Sequence, residues 1–389
     1  MTEPQLFPLV DIQPVANMRN AWIALSLRVK PTAGDMAGAL QSVFLASDLL
    51  AAVAPLNCIV LLDSPSVIDD HLRAAMPPTR VSFAFDANAL CDESERKRML
   101  GLHGHGYRVC IEGPVPEGAS VPAALRGVVW NCRESAPAGQ LLAAVFGPHL
   151  AYGVDSGARM FECETAGFEM FSGAYPFHPL PSSEAGDGSS RKRLLTLLGL
   201  LASDGDTDDI EAVLKQDPAL SYHLMKLANS AAFVHSVPLT SFCQAIGLLG
   251  RRQLQRWLQL LLYARQKPDG VPNPLLPLAA LRAAQMEALV KLRGGGREDQ
   301  ELGFMTGVFS LLDHLFAMSM SEIVGALRLV PAAADALLSR AGPLGELLVL
   351  AEADAVSAET LDMAKIEPAQ WWSTQLHAYH WAIQVSRNL

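Results

Sequence analysis

No Cys-x-x-Cys pair occurs among the six cysteines of this 389-residue chain, so their spacing offers neither a zinc ribbon nor a dithiol redox motif. Cys58, Cys91, Cys110, Cys132, Cys163 and Cys243 fall singly, several inside apolar runs such as CIVLLD and YRVCIEG, which predicts buried free thiols. Positive charge is also scarce: 30 Lys and Arg face 40 Asp and Glu, a formal net charge of −10. That balance argues against non-specific attraction to nucleic acid or to an anionic membrane. No apolar run reaches the length of a membrane span, and MTEPQLFPLVDIQP lacks the basic flank and apolar core of a secretion signal. A cytoplasmic protein is expected. Gly294, Gly295 and Gly296 come without the lysine and strand context of a phosphate-binding loop.

Hydrophobic residues, in contrast, make up 50% of the chain, enough to fill the cores of two domains. From Met1 to about Pro181, six runs have strand character: Trp22–Val29, Cys58–Asp63, Val81–Asp86, Tyr107–Gly113, Gly127–Cys132 and Arg159–Glu164. Between them lie Asp35–Val53, Ser66–Ala75, Asp92–Leu102 and Ala136–Phe146, with helical spacing or composition. This alternation predicts βαβ units and a parallel sheet able to close as a barrel, with QLFPLVDI placed to pair with the first run as a hairpin. PLPSSEAGDGSSRKR reads as a linker. Beyond it, Leu194–Ala202, Thr207–Gln216, Arg251–Gln266, Pro277–Arg293, Glu298–Met318, Ser321–Leu329, Pro331–Arg340 and Pro368–Arg387 continue a helical pattern with no strand signal.

The clearest punctuation lies in Asp217–Gly250. Asp217 can N-cap, Pro218 suits the first helical position, and Leu220, Leu224, Leu227 and Ala231 recur at helical spacing. After Val237–Pro238 a second helix can start from Thr240 or Ser241 and stop at Gly250. The runs DPAL, KLANSAAF and TSFCQAIGLLG resemble the signature of HDOD domains, all-helical regulatory relatives of the HD phosphohydrolases. The runs PLVDIQP, IALSLR and FECETAGFEMFSGAYPFHP, with an HDOD-like region following, resemble the EAL part of EAL–HDOD bacterial signalling proteins. Catalytic members of that family hydrolyse cyclic di-GMP on a barrel with two divalent metal ions. The resemblance implies a degenerate EAL-like, TIM-type α/β barrel over residues 1–180, a linker over 181–193 and an all-helical HD-like bundle over 194–389.

The departures from the family pattern shape the functional expectation. The glutamate that names the EAL family falls at Ile23, and the paired aspartates of a central strand are represented by Ile111–Gly113, leaving Glu112 as the acid. Arg28 remains as a phosphate partner. The His-Asp pair of catalytic HD enzymes falls at Ser310 and Leu311. These replacements imply a non-catalytic signal-transduction protein, without metal or cofactor, that acts on signalling-protein partners and not on nucleic acid. The alternative is a cyclic di-GMP receptor built on Arg28 and Glu112, and a residual phosphodiesterase is a further reading. Asn229, Arg251, Arg252, Arg256 and Trp257 make a basic-aromatic patch and the expected partner surface, since exposed arginine and tryptophan are enriched at binding hot spots.

Overall fold

A computed structural model describes residues 7–32, 35–133, 142, 145–180, 188–203, 206–214, 216, 222, 224, 250–264, 271–327 and 329–388. The chain divides into two compact units, one of Met1–Leu180 with Asp354–Leu376 and one of Pro181–Ala353 with His377–Leu389. Of the stretch 217–250 only three positions are described, so the two helices expected there lie outside the described residues.

The first unit is a closed barrel. Strands β1 (Leu9–Asn17), β2 (Trp22–Lys30), β3 (Asn57–Leu62), β4 (Val81–Asp86), β5 (Arg108–Glu112), β6 (Gly127–Asn131), β7 (Leu150–Tyr152) and β8 (Met170–Phe171) neighbour one another in sequence order. β1 runs antiparallel to both β2 and β8, and all other pairs are parallel. The β1–β2 hairpin turns where the Asn17 side-chain oxygen accepts from the Arg19 and Ala21 amides at 2.9 and 3.1 Å, while Asn20 takes the left-handed φ of 58° that asparagine tolerates. Helices α1 (Met36–Gln41), α2 (Leu49–Ala52), α3 (Asp70–Ala75), α4 (Glu93–Gly104) and α5 (Gly157–Ala166) lie along the connections. Asp69 and Asp92 cap α3 and α4 by accepting from amides of their first turns.

Two parts of the barrel differ from the sequence expectation. The run Arg159–Glu164 is helical within α5, because Ser156 caps it from the Arg159 amide at 3.3 Å and Gly167 ends it at φ 105°. The strands that do close the barrel there, β7 and β8, span three and two residues, too short for a period-2 pattern to show.

Along each strand alternate residues enter the barrel. Val15, Ala24, Ile59, Leu61, Ala84, Cys110, Val129, Leu150 and Met170 form the apolar interior. The inward positions beyond these toward the C-terminal strand ends are polar: Ser26 and then Arg28 on β2, Asp86, Glu112, Asn131 and Tyr152. Gly173 follows β8 at φ 142°, and a Cβ there would stand 2.4 Å from the Val154 carbonyl oxygen, so only glycine fits.

The described part of the second unit is helical: α6 (Gly188–Ala202), α7 (Thr207–Leu214), α8 (Arg251–Leu261), α9 (Leu275–Leu292), α10 (Arg297–Phe309), α11 (Leu312–Phe316), α12 (Met320–Leu327), α13 (Pro331–Ser339) and α14 (Gly342–Glu352). Helix α15 (Ala358–Met363) and the opening of α16 (Pro368–Asn388) count with the barrel unit. α9 and α10 pack closely where Gly303 and Gly307 leave room; a Cβ on Gly307 would lie 2.7 Å from both Ala283 Cα and the Arg282 carbonyl oxygen. The single helix expected over Glu298–Met318 instead breaks after Phe309, where the Ser310 hydroxyl donates back to the Gly307 carbonyl at 2.8 Å. Among the described residues no helix is long and apolar enough to cross a membrane.

Candidate functional site

The polar layer at the C-terminal strand ends is the position at which closed α/β barrels assemble chemistry. Arg28 on β2 donates through Nη2 to Glu112 Oε1 on β5, spanning the mouth as an ion pair. The Tyr152 hydroxyl on β7 donates to the same carboxylate oxygen at 3.1 Å. Asp86 stands in register with Glu112 on the neighbouring strand, its carboxylate accepting from the Asn88 amide at 2.7 Å. The Glu112 side chain is 11% exposed and that of Arg28 35%, so the carboxylate is sunk in the mouth and the guanidinium faces partly outward.

Burial pushes the Glu112 carboxyl above its usual value; the Arg28 charge and the Tyr152 hydrogen bond pull it down, and the Asp86 charge adds to the rise. Desolvation is the largest of these effects and sets the sign. The Glu112 carboxyl is therefore easier to protonate than that of a surface glutamate.

Among the described residues no three His, Cys, Asp or Glu side chains converge to hold a metal ion. Ile23 is half-buried against the apolar interior and offers no lone pair, and Glu112 is already engaged by a guanidinium that would repel a cation. Ser172, beside Gly173, is 1% exposed and donates to the Gln13 side-chain oxygen at 3.3 Å, a role within the barrel wall.

In the helical unit the expected partner patch is only partly a surface. Asn229 lies outside the described residues, and Arg251 is described only as backbone opening α8. Arg252 pairs with Glu301 at 3.2 Å, and Arg256 makes two bonds to Glu287 at 3.1 and 2.6 Å while stacking over Phe304 at 4.6 Å. Trp257 corrects the expectation: it is 2% exposed, its ring 5.3 Å from that of Trp381, because it falls on the apolar face of α8 with Leu254, Leu258 and Leu261. A core tryptophan cannot act as an exposed hot spot. At the position of the HD pair, Ser310 accepts from Arg282 Nη1 at 3.0 Å, a guanidinium that also reaches Glu352 at 3.3 Å. Asp313 and His314 stand with Oδ1 and Nε2 3.9 Å apart. The thiols expected to be buried are so at Cys58, Cys110, Cys132 and Cys163, whereas Cys91 is exposed.

Comparison with known proteins places these observations. Residues 193–269 match the model of the HDOD domain. The chain is 31% identical over 171 residues to cyclic di-GMP phosphodiesterase CdgJ of Vibrio cholerae, covering 43% of this chain and 36% of that protein. It is 27% identical over 187 residues to the uncharacterized protein YuxH of Bacillus subtilis, covering 47% and 45%. The chain thus spans less than half the length of these curated relatives. Among solved structures it is similar to a standalone EAL protein of Vibrio cholerae O395 in its c-di-GMP-bound form, with 15% identity, TM-score 0.34, and 44% of this chain and 92% of that one covered.

The Vibrio relative overturns the expectation of a non-catalytic protein that is not an enzyme, since a chain sharing 31% of aligned positions is named as a phosphodiesterase. Replacement of one carboxylate by Ile23 removes one ligand, and inactivity does not follow from that alone. The chain carries an HDOD domain at residues 193–269, after an eight-stranded barrel.

Proposed function

We propose that the chain works in cyclic di-GMP signalling and that the barrel mouth around Arg28, Glu112 and Tyr152 receives the cyclic dinucleotide as a phosphodiester substrate. The observation that carries this reading is the ion pair across the mouth. It presents a half-exposed guanidinium to a phosphate and, directly behind it, a buried carboxylate held as a base. When a phosphate takes the outer N–H groups of Arg28, the hold of Arg28 on Glu112 weakens and the carboxylate becomes a better acceptor for a proton from water. The name of the Vibrio relative supports hydrolysis as the outcome. The finer parts of the proposal are a cytoplasmic setting, a first passage from barrel to helical domain just after residue 180, and signalling proteins as partners of the helical part.

Calorimetric titration with cyclic di-GMP, followed by chromatography for a linear product, tests the proposal. Arg28→Ala should weaken binding by about ten- to a hundredfold, the loss of one charge-assisted contact of about 1.5–3 kcal/mol. Glu112→Gln should bind but turn over more slowly. Absence of saturable binding to the parent chain would remove the barrel mouth as the site.

A further inference from the structure

A cavity of about 680 Å³ opens in the helical unit, lined by Gly250, Arg252, Arg256, Glu287, Arg297 and Glu301, with two glutamines. Its charges do not balance. Arg256 is satisfied by Glu287 through two hydrogen bonds. Arg252 and Arg297 share the single carboxylate of Glu301, at 3.2 Å and at 3.8 Å, the second beyond hydrogen-bonding reach. Among the described lining residues three guanidiniums face two carboxylates, which leaves one positive charge, on a side chain that is 78% exposed.

The start of α8 adds to that excess. Its N-cap is Gly250, which brings no side chain to cap the helix, and its first turn has no acid but two arginines, 251 and 252. A helix N-terminus carries the equivalent of about half a positive charge, so arginines are disfavoured there by the backbone itself. Exposed ion pairs contribute about 0–1 kcal/mol, too little for stability to account for such an arrangement. The local surplus is about 1.5 charges, which a phosphate monoester of about −1.5 to −2 matches better than a carboxylate of −1.

We propose that this cavity is a binding site for a phosphate-bearing small molecule, with the phosphate between Arg252 and Arg297 at the start of α8. The guanidinium planes present paired N–H donors suited to phosphate oxygens. The volume lies in the range of small-molecule sites and exceeds what inorganic phosphate needs, so an organic group of nucleotide size completes the ligand. The site is independent of the barrel mouth.

Calorimetric titration of the full chain with inorganic phosphate, pyrophosphate and a nucleoside monophosphate, each separately, tests the proposal. One saturable site per chain is expected, tightest for the nucleotide. The variant Arg252→Ala with Arg297→Ala should weaken it by at least about tenfold with an unchanged melting temperature. Arg28→Ala in the barrel should leave this titration as it is, which separates the two sites. If the double variant melts early, Arg297→Glu, at a side chain that is 78% exposed and 3.8 Å from Glu301, should abolish binding in a folded protein. Absence of saturable binding by all three probes, or binding undiminished by Arg297→Glu, overturns the site; a preference for free phosphate over the nucleotide overturns the ligand class.

Discussion

At Glu112 two effects of opposite sign meet on one carboxylate. Desolvation favours the neutral acid, while Arg28 and Tyr152 favour the anion, and burial prevails. The folded-state value therefore lies above the unfolded value of about 4.3. With that sign, the contribution of this group to stability is fully present below the unfolded value and is lost as pH rises through the folded one. Glu112→Gln has no such titration. Urea midpoints measured from acid to neutral pH should show the variant gaining on the parent as pH rises, and a difference independent of pH would refute the assignment. Tyr152→Phe removes a donor to the anion and raises the folded value further, so in that background the same loss should be larger and extend to higher pH. Arg28 and Glu112 were singled out through the family resemblance, and in the structure strand alternation from Ala24 and Cys110 places them inward. Tyr152 was not, because a three-residue strand carries no period. Trp257 was misjudged for a related reason: periodicity defines a face of α8 but not whether another helix, here with Trp381, covers it.

Helix contact in the second unit turns on small residues. Gly307 lets α10 approach α9 until there is no room for a methyl group, with backbone atoms of Arg282 and Ala283 2.7 Å from where Cβ would stand. Backbone cannot move aside as a side-chain tip can. Gly307→Ala should therefore destabilise by about 1–3 kcal/mol as the helices are forced apart. Gly325 in α12 has nothing within 4 Å of its Cβ position, and Gly325→Ala should stabilise by about 0.4–1 kcal/mol through helix propensity and unfolded-state entropy. Denaturant unfolding of both variants should give opposite signs; a stabilising Gly307→Ala would mean that α9 and α10 do not pack this way. Helix positions were well marked at α4, where Asp92 caps the first turn, and at α13, which Pro331 opens. No helix was expected over Gly342–Glu352, where Pro343 sits at ease in the first turn of α14.

Chain order and packing order differ across the whole molecule. A linear reading ends the barrel near residue 180, yet Asp354–Leu376 clusters with it. No local pattern announces that return, since it depends on contacts separated by hundreds of residues: Phe7, just before β1, stacks on Trp372 of α16 with ring centroids 6.3 Å apart and planes at 30°. Trp371 and Trp372 are 4% and 3% exposed, so this is core packing. Truncating a buried tryptophan to alanine removes its transfer free energy and leaves a cavity, together about 3–5 kcal/mol. Trp372→Ala should therefore loosen the barrel from a position far outside its strands. Amide exchange followed by mass spectrometry should report faster exchange in the peptide spanning β1. Trp372→Phe should do far less, because it keeps most of the apolar ring and removes a buried indole N–H that has no hydrogen-bond partner among the described residues. If β1 exchanges at the parent rate in Trp372→Ala, residues 354–376 are not part of the barrel's core, and the barrel ends where the linear reading put it.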